Sequence, residues 1–321
     1  MKPVAHSRLS RREALLRAGV ATGALLTSLR PPTAAAQEPA AAKTTFVFCL
    51  NSATIRGQKL GLVKEIETAA QAGYQAIEPW VSSIDEYKKA GGSLADLRKR
   101  IADLGLTVES SIGFPEWIVD DDARRAKGLE RAKLDMDLVA QIGGKRVAAP
   151  PSGATNTPGL DLQKAAERYR ALLELGDQMG VQPELEMWGF SKNLFRLSQV
   201  LFVAAETGHP KACVLPDIYH MHKGGSDFNS LKLCSAAAVP VFHMNDFPAE
   251  PPRDKIGDGD RIFPGDGVAP NRQILRDLNA AGGRKVLSLE LFNKTYWQMD
   301  PVVAARTGLE KMKAAVQQAL G

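Results

Sequence analysis

The chain has 321 residues, 44% hydrophobic and 24% charged, with 41 Lys and Arg against 36 Asp and Glu. That apolar content excludes disorder as the main state, and the three cysteines, Cys49, Cys213 and Cys234, exclude a disulfide scaffold because one must stay unpaired. The formal charge of +5 would point to nucleic acid or an anionic surface only if it were spread over the folded part.

The charge sits at the N-terminus instead. Residues 1–36 hold six basic residues (Lys2, Arg8, Arg11, Arg12, Arg17 and Arg30) and one acid, Glu13, which leaves 35 residues of each sign in the remainder. An apolar run from Ala18 to Leu29, too short to span a bilayer, precedes Arg30-Pro31-Pro32 and Ala34-Ala35-Ala36, the layout of a signal peptide. Within it Ser10-Arg11-Arg12-Glu13-Ala14-Leu15-Leu16 looks like a twin-arginine motif. The expectation is a leader over 1–36 that engages the twin-arginine export machinery, a linker over 37–43 and a catalytic domain over 44–321. That domain would reside in the periplasm or outside the cell, with no stable membrane span after processing. Being neutral on balance, it also lacks the cationic footprint that nucleic acid needs.

From Thr44 onward short β-branched runs alternate with longer amphipathic stretches. Strands are expected at Thr45–Leu50, Ala76–Pro79, Thr107–Ser110, Arg146–Ala149, Gln182–Met187, Ala212–Asp217, Val239–Met244 and Lys285–Leu291. Helical patterns lie between them, among them Leu60–Ala72, Leu94–Leu104, Ala123–Gln141, Leu162–Met179 and Leu194–Glu206, several followed by Gly73, Gly105, Gly143 or Gly180 in cap position. Eight strands alternating with helices over about 275 residues are the count and length of a single (β/α)8 TIM barrel. A doubly wound sheet is the competitor, but no Gly-rich phosphate loop follows the first strand.

Barrel chemistry sits at the C-terminal strand ends. There the last four strands carry Glu186, Asp217, His243 and Glu290. Three carboxylates converging on one spot would repel unless a cation held them, which makes a divalent metal the simplest resolution. Carboxylates with one imidazole suit Mn²⁺, Mg²⁺ or Co²⁺, and Zn²⁺ also fits.

These residues resemble a family, the xylose isomerase-like TIM barrels called sugar phosphate isomerases/epimerases. The similarity lies in Leu185-Glu186-Met187-Trp188-Gly189, Asp217-Ile218-Tyr219-His220-Met221-His222, His243-Met244-Asn245-Asp246 and Leu289-Glu290, and in Arg261-Ile262-Phe263-Pro264-Gly265-Asp266-Gly267. It implies Glu186, Asp217, His243 and Glu290 as ligands of one divalent metal ion, Glu186 and Glu290 as the acid–base pair, and His220 and Arg261 as substrate contacts. The chain departs from the family's ketose 3-epimerases at Lys192, where those enzymes tend to carry a second Glu; this weighs against epimerisation at C3 of a free ketose.

Other residues read less specifically. Glu184 is expected as an interior acid paired within the barrel, His222 beside the site and His209 on the opposite, stabilising face. Trp80, Trp117, Trp188 and Trp297 follow strands and suit either sugar platforms or core. Trp188 and Glu78 are taken as candidate substrate contacts, Glu78 suiting either substrate hydroxyls or a ligand histidine. The function expected is a metal-dependent isomerase or epimerase of a sugar or sugar derivative, through proton abstraction and an enediolate. A lyase or dehydratase on an oxidised sugar or cyclitol is the nearest alternative, and an exported carbohydrate-binding barrel without catalysis is another. A multi-zinc endonuclease is disfavoured, since the five histidines include none on strands one to four. Pairing into a homo-oligomer is a further expectation.

Overall fold

Successive side chains of a strand point to opposite faces, so alternation decides which residues face the barrel axis. In the computed structural model, which describes residues 45–321, the strands are β1 Thr45–Asn51, β2 Ala76–Glu78, β3 Thr107–Val108, β4 Arg146–Ala149, β5 Gln182–Glu186, β6 Val214–Leu215, β7 Val241–Met244 and β8 Arg284–Leu289. Along β1, Phe46, Phe48 and Leu50 pack into the large cluster shared with the helices. Val47 and Cys49 instead join Ala76, Ile112, Ala148, Leu215, Val241 and Val286 in a second cluster inside the barrel.

β1 pairs in parallel with both β2 and β8, and the orders β3-β2-β1-β8-β7 and β4-β5-β6 complete the ring. Two seams are narrower. Ala148 N–H donates to Ser111 O at 2.9 Å, and His243 N–H donates to Pro216 O at 3.0 Å. This is the α/β TIM barrel that the strand count implied. β3 and β6 are shorter than the sequence suggests because both border these seams and lack a continuous ladder on one side.

Helices α1 Leu62–Ala72, α2 Val81–Lys89, α3 Leu94–Asp103, α4 Asp122–Gln141, α5 Leu162–Met179, α6 Leu197–Glu206, α7 Ile218–Gly224, α8 Asn271–Ala280 and α9 Pro301–Leu320 cover the strands. Their ends follow local chemistry. Asp161 caps α5 by accepting from the Gln163 and Lys164 N–H groups, and Gly180 closes it at φ 70°, where a side chain would be strained. α6 starts three residues later than its pattern suggests, since Leu194 adopts φ 54° and cannot continue a helix.

Towards the N-terminal strand ends the interior is ionic. Glu109 takes both Arg284 guanidinium nitrogens at 2.8 Å and Lys145 at 2.9 Å. Glu184 lies 3.7 Å from Arg146 Nε, and burial pushes its carboxyl up to about 8. The expected leader and linker lie outside the described residues. Among the described residues, no helix is long and apolar enough to cross a membrane.

Candidate metal site and substrate cavity

The alternation that fills the barrel also carries its upper end. Two residues beyond Cys49, Ala76, Leu215, Val241 and Ser288 stand Asn51, Glu78, Asp217, His243 and Glu290, all buried; Glu186 ends β5 two residues above Glu184. Asp217, His243 and Glu290 each offer a ligand atom within 4.8 Å of the other two. His243 Nδ1 lies 3.3 Å from Glu290 Oε2 and 3.8 Å from Asp217 Oδ2. Glu186 stands outside that set of three.

Below the cluster Glu78 orients His243. Its Oε2 lies 3.0 Å from His243 Nε2 and accepts from Asn51 Nδ2 at 2.9 Å and Ser288 Oγ at 2.6 Å. Of the two roles open to it, Glu78 thus takes the contact to His243, and it is not among the residues lining the cavity. Nε2 is held by Glu78 while Nδ1 faces the carboxylates. Although burial opposes it, the charges of Glu290 and Glu78 push His243 well above its ordinary value, so an ion bound at Nδ1 would take the place of a proton. Asn51 also donates to Glu290 Oε1 at 3.1 Å, and Asn245 Nδ2 donates to Asp217 Oδ2 at 2.8 Å. Neither asparagine was assigned a role from sequence, although each sits in register with the inward positions of its strand.

The acids are held in opposite states. Burial, then the neighbouring Glu290 charge, pushes Glu186 up to about 8, so it keeps its proton at neutral pH. Burial works against the charge of Glu290 too, but His243 and Arg261 outweigh it and hold that carboxyl well below the usual range. Among the buried polar atoms without a hydrogen-bond partner are His243 Nδ1 and Glu186 Oε2. A ring nitrogen and carboxylate oxygens that converge, buried and partly unpartnered, fit a divalent cation.

Arg261 is the resident cation of the cluster. Nη1 donates to Asp217 Oδ2 at 3.1 Å and Glu290 Oε2 at 2.7 Å; Nη2 donates to Asp258 Oδ1 at 2.5 Å and meets His220 Nε2 at 3.1 Å. His220 also receives Gly189 N–H at Nδ1, 3.2 Å away, and burial, then Arg261, holds it well below its ordinary value; it is neutral. Asp246 fixes the segment that carries Arg261. It accepts from the Phe247, Ala269 and Gly265 N–H groups and from Asn271 Nδ2, at 2.7–2.9 Å. Gly267 must be glycine here, since a Cβ would fall 2.2 Å from Phe247 O and 2.4 Å from Asp246 Oδ1.

A cavity of about 150 Å³ opens above these groups, lined on its polar side by Glu186, His220, Asp258, Arg261 and Glu290. Trp80 and Trp188 form part of its wall, with Phe114, Phe190 and Phe292, which had no sequence signal beyond lying shortly after strands. Trp117 is core, its Nε1 on Pro150 O at 2.9 Å, and Trp297 donates to Ala53 O at 3.1 Å. His222 stacks on Phe247 with ring centres 3.8 Å apart, and exposed Lys192 donates its backbone N–H to Thr155 O, so neither enters the cavity wall. A wider surface groove of about 600 Å³ at the N-terminal halves of α4 and α5 is lined mainly by charged side chains and shares no lining residue with the cavity.

The fold and this arrangement define a barrel enzyme scaffold with its polar site at the C-terminal strand ends. The chain belongs to the xylose isomerase-like TIM barrel family, whose pattern matches residues 66–315. It is 26% identical over 276 residues to inosose isomerase of Bacillus velezensis, covering 84% of this chain and 97% of that protein. It is 25% identical over 234 residues to 3-dehydroshikimate dehydratase of Pseudomonas putida, covering 72% of this chain and 36% of that longer protein. The crystal structure of IOLI protein with a bound zinc atom shares the fold with a TM-score of 0.78 at 22% identity, over 86% of this chain and 99% of that one.

Proposed function

We propose that the protein is a divalent-metal-dependent isomerase or epimerase of a sugar or sugar derivative, moving a proton at a carbon beside a carbonyl. The observation that carries this reading is the convergence of Asp217, His243 and Glu290 within 4.8 Å, beside a buried Glu186 that holds its proton up to about 8. Similarity to an inosose isomerase, and a fold shared with a zinc-bound protein, support it. A cation held by Asp217, His243 and Glu290, with Glu186 alongside, would stabilise the negative oxygen that develops as the proton leaves carbon. His243 would present Nδ1 to that cation, its Nε2 being held by Glu78. Glu186 Oε2, unpartnered and on the cavity wall, would exchange the proton with substrate carbon, with Glu290 as the other member of the acid–base pair. Arg261 and neutral His220 orient the substrate oxygens.

Elemental analysis of the purified protein, followed by NMR of a sugar and cyclitol panel in D₂O, tests the reading. The expected result is about one divalent ion per chain and metal-dependent deuterium incorporation. Full activity after complete removal of divalent metal would overturn it.

The similarity to a dehydratase favours a second reading, in which the same proton removal expels a neighbouring hydroxyl as water. Its product would be lighter by one water in mass spectrometry. A binding barrel without catalysis would exchange no deuterium with any ligand it holds. For the N-terminal segment we propose export by the twin-arginine route, which is supported by the Arg11-Arg12 motif. Fusion of residues 1–43 to a reporter tests it: an Arg11→Lys/Arg12→Lys pair is expected to block export.

A further inference from the structure

The cavity has a polar side, at Glu186, His220, Asp258, Arg261 and Glu290, and a side built almost wholly of aromatic rings. Phe292, Trp80, Phe114, Trp188, Phe190 and His220 follow one another as a belt, with ring centres 6.2, 5.1, 5.9, 5.2 and 5.7 Å apart. Arg261 closes it, with Nη2 3.1 Å from His220 Nε2 and Cζ 5.0 Å from the Phe292 ring. Within this collar Phe114 and Phe190 are 43% and 45% exposed, although large aromatic side chains normally bury most of their surface. Among the ring side chains of the wall, the buried donor without a partner is Trp80 Nε1; on the polar side Arg261 Nε is likewise unpartnered.

A space of about 150 Å³ holds little more than one six-membered ring. Phe114 and Phe190 belong to its wall but keep nearly half of their surface open to solvent, so a substrate confined to that space covers them only in part. A longer polyol, or a second sugar, would press its outer hydroxyls against the aromatic side, where Trp80 Nε1 is the buried donor without a partner; each hydroxyl left unpaired there would cost roughly 1–3 kcal/mol. Sugars stack well on a single flat platform with polar groups at its rim. A closed collar of tilted rings instead suits an aromatic guest, whose C–H edges meet π faces.

We propose that the substrate is amphipathic: an oxygen-rich end that reaches the Asp217–His243–Glu290 cluster, and a planar apolar substituent, an aryl group, held on the aromatic side by Phe114, Trp188 and Phe190. The proposal deepens the metal-dependent reading and rests on it. Phe114 and Phe190 set specificity and have no part in proton transfer.

Three probes with the same two-oxygen chelating head separate the possibilities: acetohydroxamate, 3-phenylpropionohydroxamate and D-gluconohydroxamate, each titrated by calorimetry into manganese-loaded protein. The aryl probe is expected to bind about tenfold tighter than the methyl probe, and tighter than the polyol probe. In a Phe114→Ala/Phe190→Ala variant that ratio is expected to collapse towards one. Equal affinities for the three, or preference for the polyol, would overturn the aryl site while leaving the metal reading intact. If no probe binds, or if binding is unchanged when manganese is chelated away, the metal reading fails and the proposal falls with it.

Discussion

Glu186 and Glu290 face one cavity in opposite states, one holding a proton to about 8 and the other ionised against His243 and Arg261. Such divergence separates acid from base. Glu186→Gln is therefore expected to lower proton exchange by about 10²–10⁴-fold, with less effect on metal content, read by NMR and elemental analysis of the same sample. Glu78 acts one step back. Glu78→Gln should weaken metal affinity by about 10–100-fold, in a competition titration, because His243 exchanges a charged acceptor for a neutral amide. Arg261 occupies the same carboxylate oxygens that face His243 Nδ1. Its replacement by Leu strips Asp217 and Glu290 of their buried counter-charge, and the metal-free protein is expected to lose about 3–5 kcal/mol. Added Mn²⁺ should restore most of that in thermal melts; a loss that metal does not recover would show that Arg261 serves packing instead. At this scale the acids and His243 were legible in sequence because they are unusual residues at strand ends. Asn51 and Phe114 were not, since an asparagine or a phenylalanine after a strand is ordinary until its neighbours are known.

At the scale of elements, strand period sets the inner face and loops set what stands above it. Alternation turns Glu186, His243 and Glu290 to the inner side at the ends of β5, β7 and β8, and α7 begins where Asp217 caps it by accepting the His220 N–H at 2.8 Å. Asp217 therefore both starts a helix and joins the cluster. The segment after β7 has no such periodicity, and it is held by Asp246 and the close approach at Gly267. Gly267→Ala forces Phe247 O or Asp246 aside, and is expected to loosen residues 258–267 and displace Arg261. Faster limited proteolysis in that segment, with a raised KM, is the outcome to look for. The eight strands and most helices were readable from pattern. The short extents of β3 and β6 were not, because they depend on which neighbour lies across a seam.

For the whole molecule, the closed ring pairs β1 with β8 across more than 230 residues of chain, and it buries an ionic layer around Glu109. Burial opposes the Glu109 charge, but hydrogen bonds from Arg284, Lys145 and Thr107 outweigh it and bring the carboxyl from 4.5 to about 2. The folded state thus binds fewer protons than the unfolded chain between those values. The stabilisation is present above about 4.5 and is lost as pH falls through about 2. Denaturant midpoints measured between those values should fall with pH, and Glu109→Gln should flatten that slope. The sequence by itself determined the barrel, its layered faces and the set of acids with one histidine, because a two-residue period and strand ends are local properties of the chain. Only the tertiary structure decided that Glu78 serves His243, that Arg261 stands among the carboxylates and that a collar of rings walls the cavity. Each of these joins residues from different strands and loops, and their separations exist only once the ring has closed.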